Sequence, residues 1–186
     1  MKKTLLILLV TTLFFACGNE KKEKENHHED VVTYEEDEDL PILVGKQEIS
    51  AIKSAPHARW FMENYKYSPN QKKLGPLRTA LEGKKITIFM GTWCSDSQQH
   101  VPALLNVLDA IKYDSSNITL ITMSEDKDTP EGLEDGLNIL YVPTIIVYDN
   151  NVEMGRIVEY PVESLEADLL AIASGEDYKH SYADVE

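Results

Sequence analysis

The chain has 186 residues, a formal net charge of −14 and 42% hydrophobic residues. A protein this acidic is repelled by nucleic-acid phosphates and by anionic membrane surfaces, which excludes nucleic acid as a partner and charge as a means of membrane attachment. Its two cysteines exclude a metal site built on several thiolates, and no metal or other cofactor is expected.

In chain order, Lys2 and Lys3 precede an apolar run from Leu5 to Phe15 that is too short for a comfortable membrane span. Ala16-Cys17 follows, a small residue before a cysteine. Residues 1–16 resemble a bacterial lipoprotein signal, with Phe14 departing from the leucine usual three places before the cysteine. The resemblance implies cleavage before Cys17 and lipidation of that residue, which would hold the protein on a membrane of the cell envelope, periplasmic or surface-exposed. The mature chain would then carry a charge near −16, because the removed segment takes two lysines and no acid from the −14 total. Cys94 would be its one free thiol, so an intramolecular disulfide is excluded.

Residues 17–40 are polar and charged, ending near Glu35-Glu36-Asp37-Glu38-Asp39, and read as a flexible, self-repelling linker. The adjacent His27 and His28 read as solvated rather than as ligands. The folded domain is expected over 41–176. Short helices are expected at 47–53, 59–65 and 76–81, an N-terminal helical extension separated by Pro56, Pro69 and Asn70; the aromatic face of Trp60, Phe61 and Tyr65 reads as core packing. Next come a strand at 86–91, a helix from about 95 to 112, a strand at 118–123, a variable connection, strands at 144–149 and 152–158, and a last helix over 162–173. About 130 residues suit one core. The acidic tail, 177–186, is expected to fray.

The most informative stretch is Thr92-Trp93-Cys94-Ser95-Asp96-Ser97. It follows the apolar run Ile86 to Met90 and opens the helix of Leu104, Leu105, Val107, Leu108 and Ile111. A cysteine where a strand turns into a helix sits near unpaired backbone N–H groups that favour a thiolate, the nucleophilic form. Asp96 opposes that charge while itself suiting the helix start.

With Trp93 before the cysteine, Pro102 eight residues after it, and Tyr141-Val142-Pro143-Thr144 before an apolar strand, residues 70–175 resemble the thioredoxin superfamily. The resemblance implies an α/β, three-layer fold: a central mixed sheet of about four strands flanked by helices. It implies strand order 118–123, 86–91, 144–149, 152–158, with 144–149 antiparallel to 86–91. It also implies a cis Val142-Pro143 bond opposite Cys94, in a substrate groove with Trp93, and a Glu159-Tyr160-Pro161 turn near that loop. His100, six residues beyond Cys94, points away from the sulfur and is not assigned as a base.

Two departures limit the chemistry. Ser97 stands where the family has a second, resolving cysteine; it can hydrogen-bond a thiolate or serve as a plain helix-start residue, but it cannot resolve a mixed disulfide. Ile88 stands where the family has a buried proton-transferring aspartate. Cys94 with Ser97 therefore suggests a monothiol protein that forms mixed disulfides with envelope protein thiols or disulfides, or with a small thiol, as an exchange or isomerase-like factor, expected as a monomer. The alternative is a non-catalytic binding module that docks a partner in the proline groove. A glutaredoxin-like use of a small thiol is a third possibility, with no further matching contacts.

Overall fold

The computed structural model describes residues 40–184. The expected signal segment, Cys17, the histidine pair and nearly all of the linker lie outside the described residues. Within them the elements are β1 (Gly45–Gln47), α1 (Ser50–Lys53), α2 (Ala58–Asn64), α3 (Gln71–Ala80), β2 (Lys85–Met90), α4 (Ser95–Ala110), β3 (Ile118–Thr122), β4 (Thr144–Asp149), β5 (Val152–Val158) and α5 (Leu165–Ser174).

The five strands form one mixed sheet in the order β1-β3-β2-β4-β5. β2 runs parallel to β3 and antiparallel to β4, and β4 runs antiparallel to β5. This is a thioredoxin-like α/β fold. The sheet gains one strand over the four expected: Gln47 belongs to β1, which pairs antiparallel with β3, and the helix expected at 47–53 shrinks to the single turn of α1. α3 begins at Gln71, not at Pro76, because the Asn70 side chain accepts the Lys72 N–H and caps the helix earlier. Similarly, the last helix starts at Leu165, where Ser164 caps the Ala167 N–H.

Side-chain alternation along the strands explains how the sheet is covered. Ile86, Ile88 and Met90 of β2, Leu120 of β3 and Ile145 and Val147 of β4 join one buried cluster, to which all five helices contribute. Phe89, Ile121, Met123 and Ile146 face the other way, with Ile139 and Val142. That second face is covered by the irregular segment 124–140, through Leu133, Leu137 and Ile139, where no helix forms. Its composition accounts for this: Gly132, Gly136 and Asn138 adopt positive φ, and Pro130 interrupts it further.

The tail departs from the expectation of fraying. Tyr178 donates to Asp168 Oδ2 at 2.8 Å, and the Ser181 hydroxyl donates to the Val158 carbonyl at 2.7 Å. Asp168 is 2% exposed and also accepts the Val162 and Glu163 N–H groups, so the tail is tied to a buried carboxylate at the start of α5.

Candidate functional site

Strand register assembles the site. Phe89 of β2 lies opposite Thr144, so the antiparallel pair sets the end of β2 beside the start of β4. Thr144 in turn pairs with Val158 at the end of β5, and Met90 pairs with Thr122 at the end of β3. Four chain segments converge at this end of the sheet: 91–97, 123–124, 141–143 and 159–161.

Cys94 is the residue before α4 and is partly exposed. It does not cap the helix. Its thiol donates instead to the Val142 carbonyl across the groove, with sulfur and oxygen 3.1 Å apart. The Val142–Pro143 peptide is cis. The expected members Cys94, Val142 and Pro143 therefore stand together.

Trp93 is fixed from two sides. Its indole N–H donates to the Met123 carbonyl at 3.0 Å. Its ring lies against Gly91, where an added Cβ would come within 2.5 Å of the indole Cε2. Thr92 is buried; its hydroxyl accepts the Leu43 N–H and its carbonyl accepts the Gln98 side chain. Gly91, Thr92 and Met123 were not among the sequence candidates. Gly91 alone carried a signal, as a glycine between a buried strand and an aromatic residue.

Ser97 is fully buried, and its hydroxyl accepts the Gly91 N–H at 3.2 Å. It thus ties the strand end to the first turn of α4. This contact is neither of the two roles expected for Ser97, and it leaves the hydroxyl proton free to donate. Ile88 is also fully buried, an apolar member of the helix-side core. Pro102 lies buried inside α4.

Glu159 adjoins the proline loop: its N–H donates to the Pro143 carbonyl at 2.7 Å. Pro161 lines a cavity of about 350 Å3 beside α4, with His100, Gln99 and Tyr67. Burial lowers the His100 imidazole below the ordinary 6.5, and the nearby Asp96 charge offsets part of that shift. On the cavity wall Tyr67 donates to buried Glu166, and burial together with that carboxylate pushes its phenol up to about 12. Among the described residues no group of three or more His, Cys, Asp or Glu side chains could hold a metal ion, and no helix is long and apolar enough to cross a membrane.

No family model matches the chain. It is 26% identical over 84 residues to a thioredoxin of Echinococcus granulosus, an alignment covering 44% of this chain and 73% of that protein. Among solved structures it is similar to an HIV epitope-scaffold, with a TM-score of 0.52 and 19% identity, over 70% of this chain and 93% of the scaffold. It is also similar to a protein of unknown function from Pseudomonas aeruginosa, with a TM-score of 0.48 and 21% identity, over 63% and 81% of the two chains. The weak similarity to thioredoxin supports placing the chain in the thioredoxin-like superfamily.

Proposed function

We propose that this protein is a membrane-anchored, thioredoxin-like factor of the cell envelope that carries out thiol–disulfide exchange through Cys94 alone. The observation that supports it most is the partly exposed Cys94 sulfur, 3.1 Å from the carbonyl of Val142, beside cis Pro143 and at the start of α4. In the reaction, the Cys94 thiolate attacks one sulfur of a partner disulfide. A new S–S bond forms between Cys94 and that sulfur, the partner's bond breaks, and its other sulfur leaves as a thiolate. Electrons are conserved within the exchange. Release needs a second thiol: in a dithiol protein the residue one helical turn on supplies it, and here that residue is Ser97. A partner thiol or a small thiol from outside must attack the mixed disulfide to return Cys94 to its reduced form.

Val142 fits this cycle. Its carbonyl is occupied by the Cys94 thiol in the free protein. Once the sulfur is a thiolate or a disulfide it no longer donates, and the carbonyl is freed to accept a backbone N–H of an extended partner segment.

Lipid on Cys17 would keep this domain at the membrane, with residues 18–40 as its tether. Replacing Cys17 by serine should leave the precursor unacylated; an unmodified mature N-terminus downstream of Cys17 would rule out the anchor.

The test of the exchange is acid trapping from cells, which should capture mixed disulfides that Cys94→Ser abolishes. Insulin reduction without added thiol should be weak for the wild type and partly gained in Ser97→Cys, with recovery limited by Ile88. Strong wild-type turnover without added thiol refutes the monothiol cycle. The absence of adducts together with an unreactive Cys94 leaves the non-catalytic binding module.

A further inference from the structure

We propose that the C-terminal tail is a positioning strap for the Cys94 site, with Tyr182 as the residue that holds the 141–143 loop over the sulfur. The tail is anchored first away from the groove, where Tyr178 binds Asp168 and Ser181 binds the Val158 carbonyl. These two contacts bring Tyr182 beside Tyr141, the first residue of the loop that faces Cys94. There it holds the loop in two ways. Its ring stacks on Tyr141, centroids 4.2 Å apart and planes 18° apart, and the edge of Tyr160 packs beside it at 6.2 Å. Its hydroxyl donates to the Glu159 carboxylate.

Glu159 passes the constraint on. Its backbone has a φ of 58°, in the left-handed region that a residue with a side chain enters rarely, and in that conformation its N–H reaches the Pro143 carbonyl at 2.7 Å. Tyr141, under the Tyr182 ring, has its carbonyl fixed by the Thr144 hydroxyl at 2.6 Å. Tyr182 therefore secures the residue before Val142 by stacking and the residue after it through Glu159. Val142 itself presents its carbonyl to the Cys94 thiol. Tyr182 touches neither sulfur nor partner, and its influence runs through the loop.

This inference rests on Cys94 being the reacting group, and its test does not need a disulfide partner. The readout is the rate of Cys94 alkylation by iodoacetamide at pH 7 on the full mature chain, followed by mass spectrometry of the Cys94 peptide so that Cys17 does not contribute. Removing the strap should loosen the Val142 carbonyl from the thiol, which frees and exposes the sulfur. Tyr182→Ala should then react faster by about two- to ten-fold, the range that one modest hydrogen bond spans. Tyr182→Phe keeps the stack and loses the hydroxyl, so it should show a smaller increase and a native unfolding midpoint. Glu159→Ala should also react faster, and the Tyr182→Ala/Glu159→Ala double variant no faster than the larger single, because both act through one contact. Rates equal to or below wild type in folded Tyr182→Phe and Tyr182→Ala would overturn the strap, as would single effects that multiply in the double variant. If these rate changes are found but no mixed disulfides are trapped in cells, the exchange function fails and the strap stands.

Discussion

Gly91→Ala tests how the tryptophan beside Cys94 is held. A Cβ on residue 91 would lie 2.5 Å from Trp93 Cε2, 2.7 Å from Nε1 and 2.9 Å from Cζ2, while ordinary contact begins at 3.4 Å. The ring would have to retreat by about 0.9 Å, the difference between 3.4 and 2.5. Its indole N–H is fixed to the Met123 carbonyl at 3.0 Å, so a retreat of that size strains that bond. Overpacking costs about 1–3 kcal/mol, and losing one hydrogen bond costs about 1 kcal/mol more. The expected loss is therefore about 2–4 kcal/mol, read as a lower urea midpoint followed by circular dichroism. The decisive comparison is the same substitution in a Trp93→Ala background. With the ring gone, the added methyl has room, and the penalty should fall below about 1 kcal/mol, the signature of a direct pairwise clash. An equal penalty in both backgrounds would refute the reasoning and assign the need for glycine to the backbone of residue 91 itself.

Further outcomes follow from neighbouring contacts. Ser97→Ala leaves the buried Gly91 N–H without its acceptor and should cost about 1–3 kcal/mol in urea unfolding, while Cys94 alkylation stays near the wild-type rate. Gly155→Ala brings a methyl within 3.2 Å of the fully buried Ile172, and should lower stability by about 1 kcal/mol through the contact of β5 with α5. His57 is 1% exposed, with neither ring nitrogen bonded among the described residues, and burial lowers it from 6.5. The unfolded chain then takes up its proton at a higher pH than the fold does. The stability contributed by neutral His57 is fully present above pH 6.5 and is lost as pH falls toward the lowered folded value. His57→Leu should flatten the fall of the unfolding midpoint between about pH 7 and pH 5; an unchanged slope would show that carboxylates alone set it.

The parts of the fold that were legible in the sequence are those with local causes. The short apolar runs fixed β2 and β4 within a residue or so, because a largely buried strand of that length has few other readings, and β5 followed from the turn after β4. Cys94 could be named because it sits where a strand gives way to a helix, and Trp93 and Pro143 through the resemblance to the thioredoxin superfamily; strand register then brings these ends together. β1 was not legible: three residues, Gly45–Gln47, carry no periodicity, and they become a strand by pairing with β3 more than seventy positions away. The cover of the second sheet face escaped for the same reason, since Leu133, Leu137 and Ile139 stand four and then two positions apart, which sustains neither a helical nor a strand period, and they are recruited by a face that exists only after the sheet forms.

Ser97 and the tail show a subtler limit. A serine in the first turn of a helix can turn its hydroxyl toward the cysteine before it or toward the strand behind it, and local spacing allows both. The strand side is used here, because the Gly91 N–H would otherwise be buried without a partner, and the hydroxyl proton stays available as a donor. Composition gave the tail a polar character that suits solvent, yet Asp168 stands buried at the start of α5 and draws Tyr178 to it. One buried carboxylate, invisible as such in the sequence, thus converts a charged terminus into an ordered segment beside the proline loop. The consequence is physical as well as topological: the outer part of the wall opposite Cys94, at Tyr141 and Glu159, is braced from the tail by ring stacking and a side-chain hydrogen bond, not by a strand ladder, and that brace can be loosened without unfolding the sheet that carries the sulfur.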